Sequence, residues 1–152
     1  MTSPNLDDLP EALSAHVGYL LVRLGKHAQR LFSVEIAAFG LRPPHADIVL
    51  TLAARGALSQ IDIANTLRIE RAHLVALLDQ LEALRLVRRA PDPSDRRRHS
   101  VGLTDEGAAT ATRLRQVALD VEKALLEGLS DDEAATLRAT LQRLARDADE
   151  GD

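Results

Sequence analysis

The stretch from Arg85 to Leu103 constrains this 152-residue chain most, because it cannot be helical. Pro91-Asp92-Pro93-Ser94-Asp95 is turn chemistry. Its two prolines fix φ and remove backbone donors, while Asp and Ser bond their own backbone. On one side, Arg85 to Ala90 reads as a strand opened by Leu86 and Val87. On the other, Arg98 to Leu103 can return beside it. The pattern predicts a β-hairpin whose charged tip carries Arg96, Arg97 and Arg98. Almost everything around it favours helix, since the apolar residues are mostly Leu, Ala, Val and Ile and aromatic residues make up only 2%.

Three short helices are predicted immediately before the hairpin. Pro43-Pro44 starts the first, which runs over His45 to Ala54 and closes at Gly56. Ser59, with Asp62 three residues on, caps the second, whose apolar face is Ile61, Ala64 and Leu67. The third runs from about Glu70 to Leu84, with Leu74, Leu77, Leu78 and Leu81 turned inward. Three short helices with tight turns make a helix-turn-helix, and a hairpin directly after one is a wing.

Long amphipathic helices flank this unit. Leu13, Val17, Leu20, Leu24 and Leu31 predict one helix from Leu13 to about Phe39, ended by Gly40. Leu21, Val22 and Ile36 widen its stripe beyond what a small core covers, so a partner helix is expected. Thr104 caps a helix reaching Glu127, with Asp105 and Glu106 in its first turn, and Gly128 breaks it. Ser130-Asp131-Asp132-Glu133 is a capping box opening a last helix through Leu137, Leu141, Leu144 and Ala148. The fold class is therefore mainly α with a small β-wing, a winged helix-turn-helix between terminal helices. The expected division is residues 1–40, the N-terminal helix; 41–103, the winged helix-turn-helix unit; and 104–152, the C-terminal helices.

The formal net charge is −4, but the distribution matters more than the total. Residues 41–103 hold ten Lys/Arg against seven Asp/Glu, while the remainder holds nine against sixteen. Positive charge is concentrated where the hairpin is, and the acidic ends would stand away from a polyanion. With no cysteine there is no disulfide framework, thiol sensor or Cys-ligated zinc. His16, His27, His45, His73 and His99 show no zinc-helix spacing, so neither metal nor cofactor is expected. Met1 to Pro10 is polar and acidic, unlike a signal peptide, and no apolar run has the roughly 18 residues of a membrane span. A cytoplasmic location without membrane attachment is expected.

The segment from Leu84 to Gly107, with its Asp-Pro-x-Asp-Arg-Arg tip (Asp92 to Arg97) and following Leu-Thr-x-x-Gly (Leu103 to Gly107), resembles the wing region of the MarR family. Ile69 to Leu86 resembles that family's recognition helix, and the order of elements is similar from about Leu13 to Ala148. The resemblance implies a homodimer joined through the terminal helices. It implies two recognition helices in successive major grooves of double-stranded DNA and two wings in the flanking minor grooves. It makes Arg97 the groove-inserting residue, Asp95 the acid that orients it, and Arg96 and Arg98 phosphate contacts. A slim cationic hairpin suits the minor groove, where the potential is most negative. Arg88 and Arg89, on the stem, can face either DNA or the helix.

On the recognition helix, Arg71 can bind guanine O6 and N7, and His73 can donate to a base or phosphate. Ser59 and Gln60 are candidate phosphate contacts through side chain and backbone N–H. The chain departs from the family in two ways. Val75 and Ala76 stand where relatives usually carry polar residues, and Arg68 and Arg85 stand where relatives tend to have Gly. Val75 could touch a thymine methyl, or the chain could make few base contacts.

The resemblance also implies a small aromatic or phenolic anion as effector, held between the dimer helices and the winged unit. His16, Tyr19 and Arg23 share one helical face by spacing, and His45 could join them. The leading expectation is a repressor released by such a ligand. The alternative is a winged-helix protein-interaction module without sequence-specific DNA binding. An enzyme is not expected, since no nucleophile elbow, P-loop or dinucleotide fingerprint is present.

Overall fold

The computed structural model describes residues 9–91 and 99–150. The chain runs α1 (Glu11–Ser14), α2 (Val17–Ala37), α3 (Pro43–Arg55), β1 (Leu58–Ser59), α4 (Gln60–Leu67), α5 (Arg71–Ala83), β2 (Val87–Pro91), β3 (His99–Leu103), α6 (Asp105–Leu125) and α7 (Asp131–Glu150). The fold is mainly α, as expected, with a winged helix-turn-helix between terminal helices.

The core belongs to the middle of the chain. Ile48, Val49 and Leu52 of α3, Ile63 of α4, and Leu74, Leu77, Leu78 and Leu81 of α5 close on one another. Val87 and Val101 seal this cluster from the wing side, and Ala111 and Leu114 from α6. The inward leucines of α5 recur at three- and four-residue spacing, which puts them on one face. From α2, only Ile36 is buried.

Three expectations need correction. The predicted N-terminal helix is two helices, interrupted at Ala15 and His16, where His16 takes extended dihedrals and caps α2. Leu13 and Val17 remain four apart, so the side-chain pattern runs across a break that lies in the backbone. The first wing strand begins at Val87, because Arg85 has a left-handed φ of +59° and turns the chain out of α5. The sheet also has a third strand, in the order β1-β3-β2. Leu58 and Ser59 pair with Val101 and Ser100. Two residues are too few for an alternation signal.

Local caps follow the sequence. Gly40, with φ +70°, ends the α2 region as Leu41 N–H reaches back to Ile36 O. Ser59 Oγ accepts Asp62 N–H at 3.1 Å. Ser130 Oγ accepts Glu133 N–H at 3.3 Å while Glu133 accepts Ser130 N–H at 2.8 Å, the reciprocal pair of a capping box. The Ser130 N–H, and the Ser130 hydroxyl donating at 2.9 Å, hold the Glu133 carboxyl below its ordinary range.

Candidate nucleic-acid interface

Thr104 joins wing to α6. Its N–H donates to Leu86 O at 3.1 Å, and its hydroxyl donates to Arg85 O at 2.6 Å while accepting Gly107 N–H at 3.0 Å. The start of α6 is thus fastened to the two residues that lead into β2. Gly107 is buried in this junction, and a Cβ there would overlap the Leu86 carbonyl oxygen and lie 2.9 Å from its carbon. The Leu-Thr-x-x-Gly spacing is the sequence form of that close approach.

The wing is tied to α5 as well. Arg89 on β2 donates to Asp79 at 2.6 Å and pairs with Glu82, both on α5. Burial works against the Arg89 charge, but the two carboxylates outweigh it and hold its pKa above the ordinary value. Arg89 therefore faces the helix, and Arg88 faces solvent. This clamp also neutralises two carboxylates on the outward side of α5. Nothing local in the sequence marks it, beyond acids and an arginine on opposite sides of the Arg85 turn.

Arg71 and His73 occupy the first turn of α5, both exposed. Arg71 forms no ion pair among the described residues. His73 lies on the flank toward α3, near enough to His45 for its charge to disfavour a charge there. Ser59 and Gln60 open α4, but the Ser59 hydroxyl is committed to Asp62, donating to its carboxylate at 2.6 Å. Backbone N–H groups of that first turn, rather than the hydroxyl, are what α4 offers a phosphate. Asp95, Arg96, Arg97 and Arg98 lie outside the described residues.

His45 is placed away from the expected effector face. It is 3% exposed at the start of α3. Its Nδ1 accepts Arg42 N–H at 3.1 Å, so the proton sits on Nε2, which donates to Gln80 Oε1 at 2.8 Å. The same oxygen accepts from Arg42 Nη2 at 3.0 Å. Burial lowers the His45 pKa; the Gln80 bond opposes this, and nearby Arg42 and His73 reinforce it. A neutral histidine thus fastens α5 to α3. The groove along α2 is lined by Tyr19 and Arg23 with Lys26, His27 and Arg30, but by neither His16 nor His45. Lys26 and Arg30 continue the Arg23 face at three- and four-residue spacing, a signal the sequence already carries.

The family model described as "MarR family" matches residues 39–98. The HTH-type transcriptional regulator PecS of Dickeya dadantii (strain 3937) is 32% identical, over 94% of this chain and 86% of its own length. The chain belongs to the MarR family. Its MarR-family fold is shared with the transcriptional repressor CouR bound to a 23-mer DNA duplex, at 36% identity and a TM-score of 0.81. That match covers 91% of this chain and 99% of CouR. Bordetella bronchiseptica BpsR, whose DNA binding is regulated by 6-hydroxynicotinic acid, matches at 26% identity and a TM-score of 0.73. It covers 85% of this chain and 98% of BpsR. PecS is thus a regulator of transcription and CouR a transcriptional repressor. Among the described residues, no helix is long and apolar enough to cross a membrane.

Proposed function

We propose that two copies of this MarR-family chain pair through their terminal helices and bind a palindromic duplex site as a repressor. The observation that carries the reading is where the apolar surface lies. Val17, Val22 and Leu24 of α2, Leu119 of α6, and Leu137, Leu141 and Leu144 of α7 are exposed. Leu137, Leu141 and Leu144 share one face of α7 by spacing, as Val17 and Leu24 do on α2; all stay exposed in the single chain, and a second copy would cover them. Paired this way, the subunits would present two α5 helices and two wings to one face of a duplex, with Arg97 entering the minor groove under the direction of Asp95. Arg96 and Arg98 would hold phosphates.

A small aromatic or phenolic anion fits the α2 groove, where Tyr19 supplies a ring and Arg23 with its cationic neighbours supplies charge. It would act by binding more tightly to a dimer whose recognition helices no longer match successive grooves.

The test is selection of bound duplexes from a random pool, repeated with Arg97→Ala, alongside sedimentation of the free protein. A dimer, an enriched palindrome and its loss in the variant are expected. Each phosphate contact should add about 0.9 to the slope of log affinity against log salt. A stable monomer would refute the pairing. An unenriched pool would favour the second reading, in which exposed Val75 and Ala76 meet a protein surface instead.

A further inference from the structure

The outward face of α5 is unusual for a helix that reads bases. Ala72 and Ala76 are exposed and too short to reach a base edge with a hydrogen bond. Their small size lets the helix backbone approach the groove floor closely. The large side chain of the second turn is Val75, which is 42% exposed, whereas Leu74, Leu77 and Leu78 beside it are buried. Val75 follows Arg71 by four residues, so the two share one flank of the helix, about 6 Å apart along its axis. That is roughly two base-pair steps at ~3.4 Å each.

The charge around Val75 suits a polyanion. Arg71 has no carboxylate partner among the described residues, and the carboxylates on the same side of α5, Asp79 and Glu82, are held by Arg89. An apolar side chain in such a setting has one partner in the major groove. Every hydrogen-bonding group there would be left unpaired against an isopropyl group, but the C5-methyl of thymine would not.

We infer that Val75 reads a thymine C5-methyl group about two base pairs from the Arg71 contact, so that this position of each half-site is recognised by apolar contact. The inference rests on the duplex-binding reading above. Deoxyuridine supplies the test, because it keeps the hydrogen-bonding pattern of thymine and removes only the methyl.

Each thymine of the enriched duplex is replaced singly by deoxyuridine, and binding is measured for the parent and for Val75→Ala. One thymine per half-site is expected to weaken parent binding about fourfold when replaced, and about fifteenfold when replaced in both halves. Val75→Ala should bind the thymine duplex correspondingly less well and be indifferent to the replacement. Because Val75 is exposed, the variant should keep its thermal midpoint, which circular dichroism checks. If the parent binds with the expected salt dependence but no replacement matters, or if Val75→Ala shows the same losses, the methyl contact is refuted and duplex binding stands. If no duplex is enriched, both readings fall.

Discussion

Replacing Gly107 by alanine should cost far more than a single methyl group suggests. Gly107 packs under the Leu86 carbonyl because that oxygen accepts Thr104 N–H, and Thr104 caps the helix that Gly107 belongs to. An alanine Cβ would sit 2.9 Å from the Leu86 carbonyl carbon and 3.2 Å from Leu103 Cδ2, besides overlapping the oxygen. Carbon atoms normally meet at about 3.5 Å or more, so the first turn of α6 must lift by at least ~0.6 Å. Lifting it stretches the Thr104 N–H bond to Leu86 O, at 3.1 Å, and the Thr104 hydroxyl bond to Arg85 O, at 2.6 Å. Losing both costs about 1 kcal/mol each, and overpacking adds about 1–3 kcal/mol. The expected loss is about 3–5 kcal/mol, or a fall in Tm on the order of 10 °C. Urea unfolding followed by circular dichroism, at one fixed protein concentration, measures it. A companion variant, Thr104→Ala, removes the same cap without overpacking and should lose about 1–2 kcal/mol. A Gly107→Ala protein within ~1 kcal/mol of the parent would refute the close-packing argument.

Other consequences can be checked in the same preparations. Arg85→Gly should stabilise the fold by about 0.5–1 kcal/mol, because φ +59° strains any side chain but not glycine; an unchanged urea midpoint would contradict this. His45 is favoured neutral in the folded state, so its folded pKa lies below the unfolded value of 6.5. Its contribution is complete above that value and declines as pH falls below it, and His45→Gln should flatten the fall in stability between about pH 6.5 and 5. Arg89→Ala should cost no more than about 1 kcal/mol of stability, since Asp79 and Glu82 are largely exposed. It should nonetheless weaken duplex binding severalfold by freeing the wing from α5, and equal binding by parent and variant would show that the clamp does not position the wing.

Helix caps and the inward face of α5 were the most legible parts of the chain. Ser59, Thr104 and Ser130 announce helix starts because a cap is a bond to a backbone group three residues ahead. Pro91 to Asp95 predicts a turn because proline and Asp act on their own backbone; residues 92–98 lie outside the described residues, and the antiparallel pairing of β2 with β3 on either side is what the structure shows. The inward leucines of α5 show their face through spacing alone. All of these are short-range consequences of covalent geometry, and composition and order could carry them.

What tertiary structure decided lies at longer range or in the backbone. His45 looked like part of a polar face with Tyr19, but packing of α3 on α5 puts it against Gln80, 35 residues away, with both ring nitrogens used. Arg89 could have faced either way until the Arg85 turn set β2 beside Asp79 and Glu82. The break at His16 is invisible to side-chain periodicity, and β1 exists only because β3 runs past Leu58 and Ser59. Sequence alone determined where Ser59, Thr104 and Ser130 cap helices and which face of α5 turns inward, since those choices are made within a few residues. Which charged and aromatic groups would meet depended on how helices packed, because partners distant along the chain become neighbours only after the core has closed.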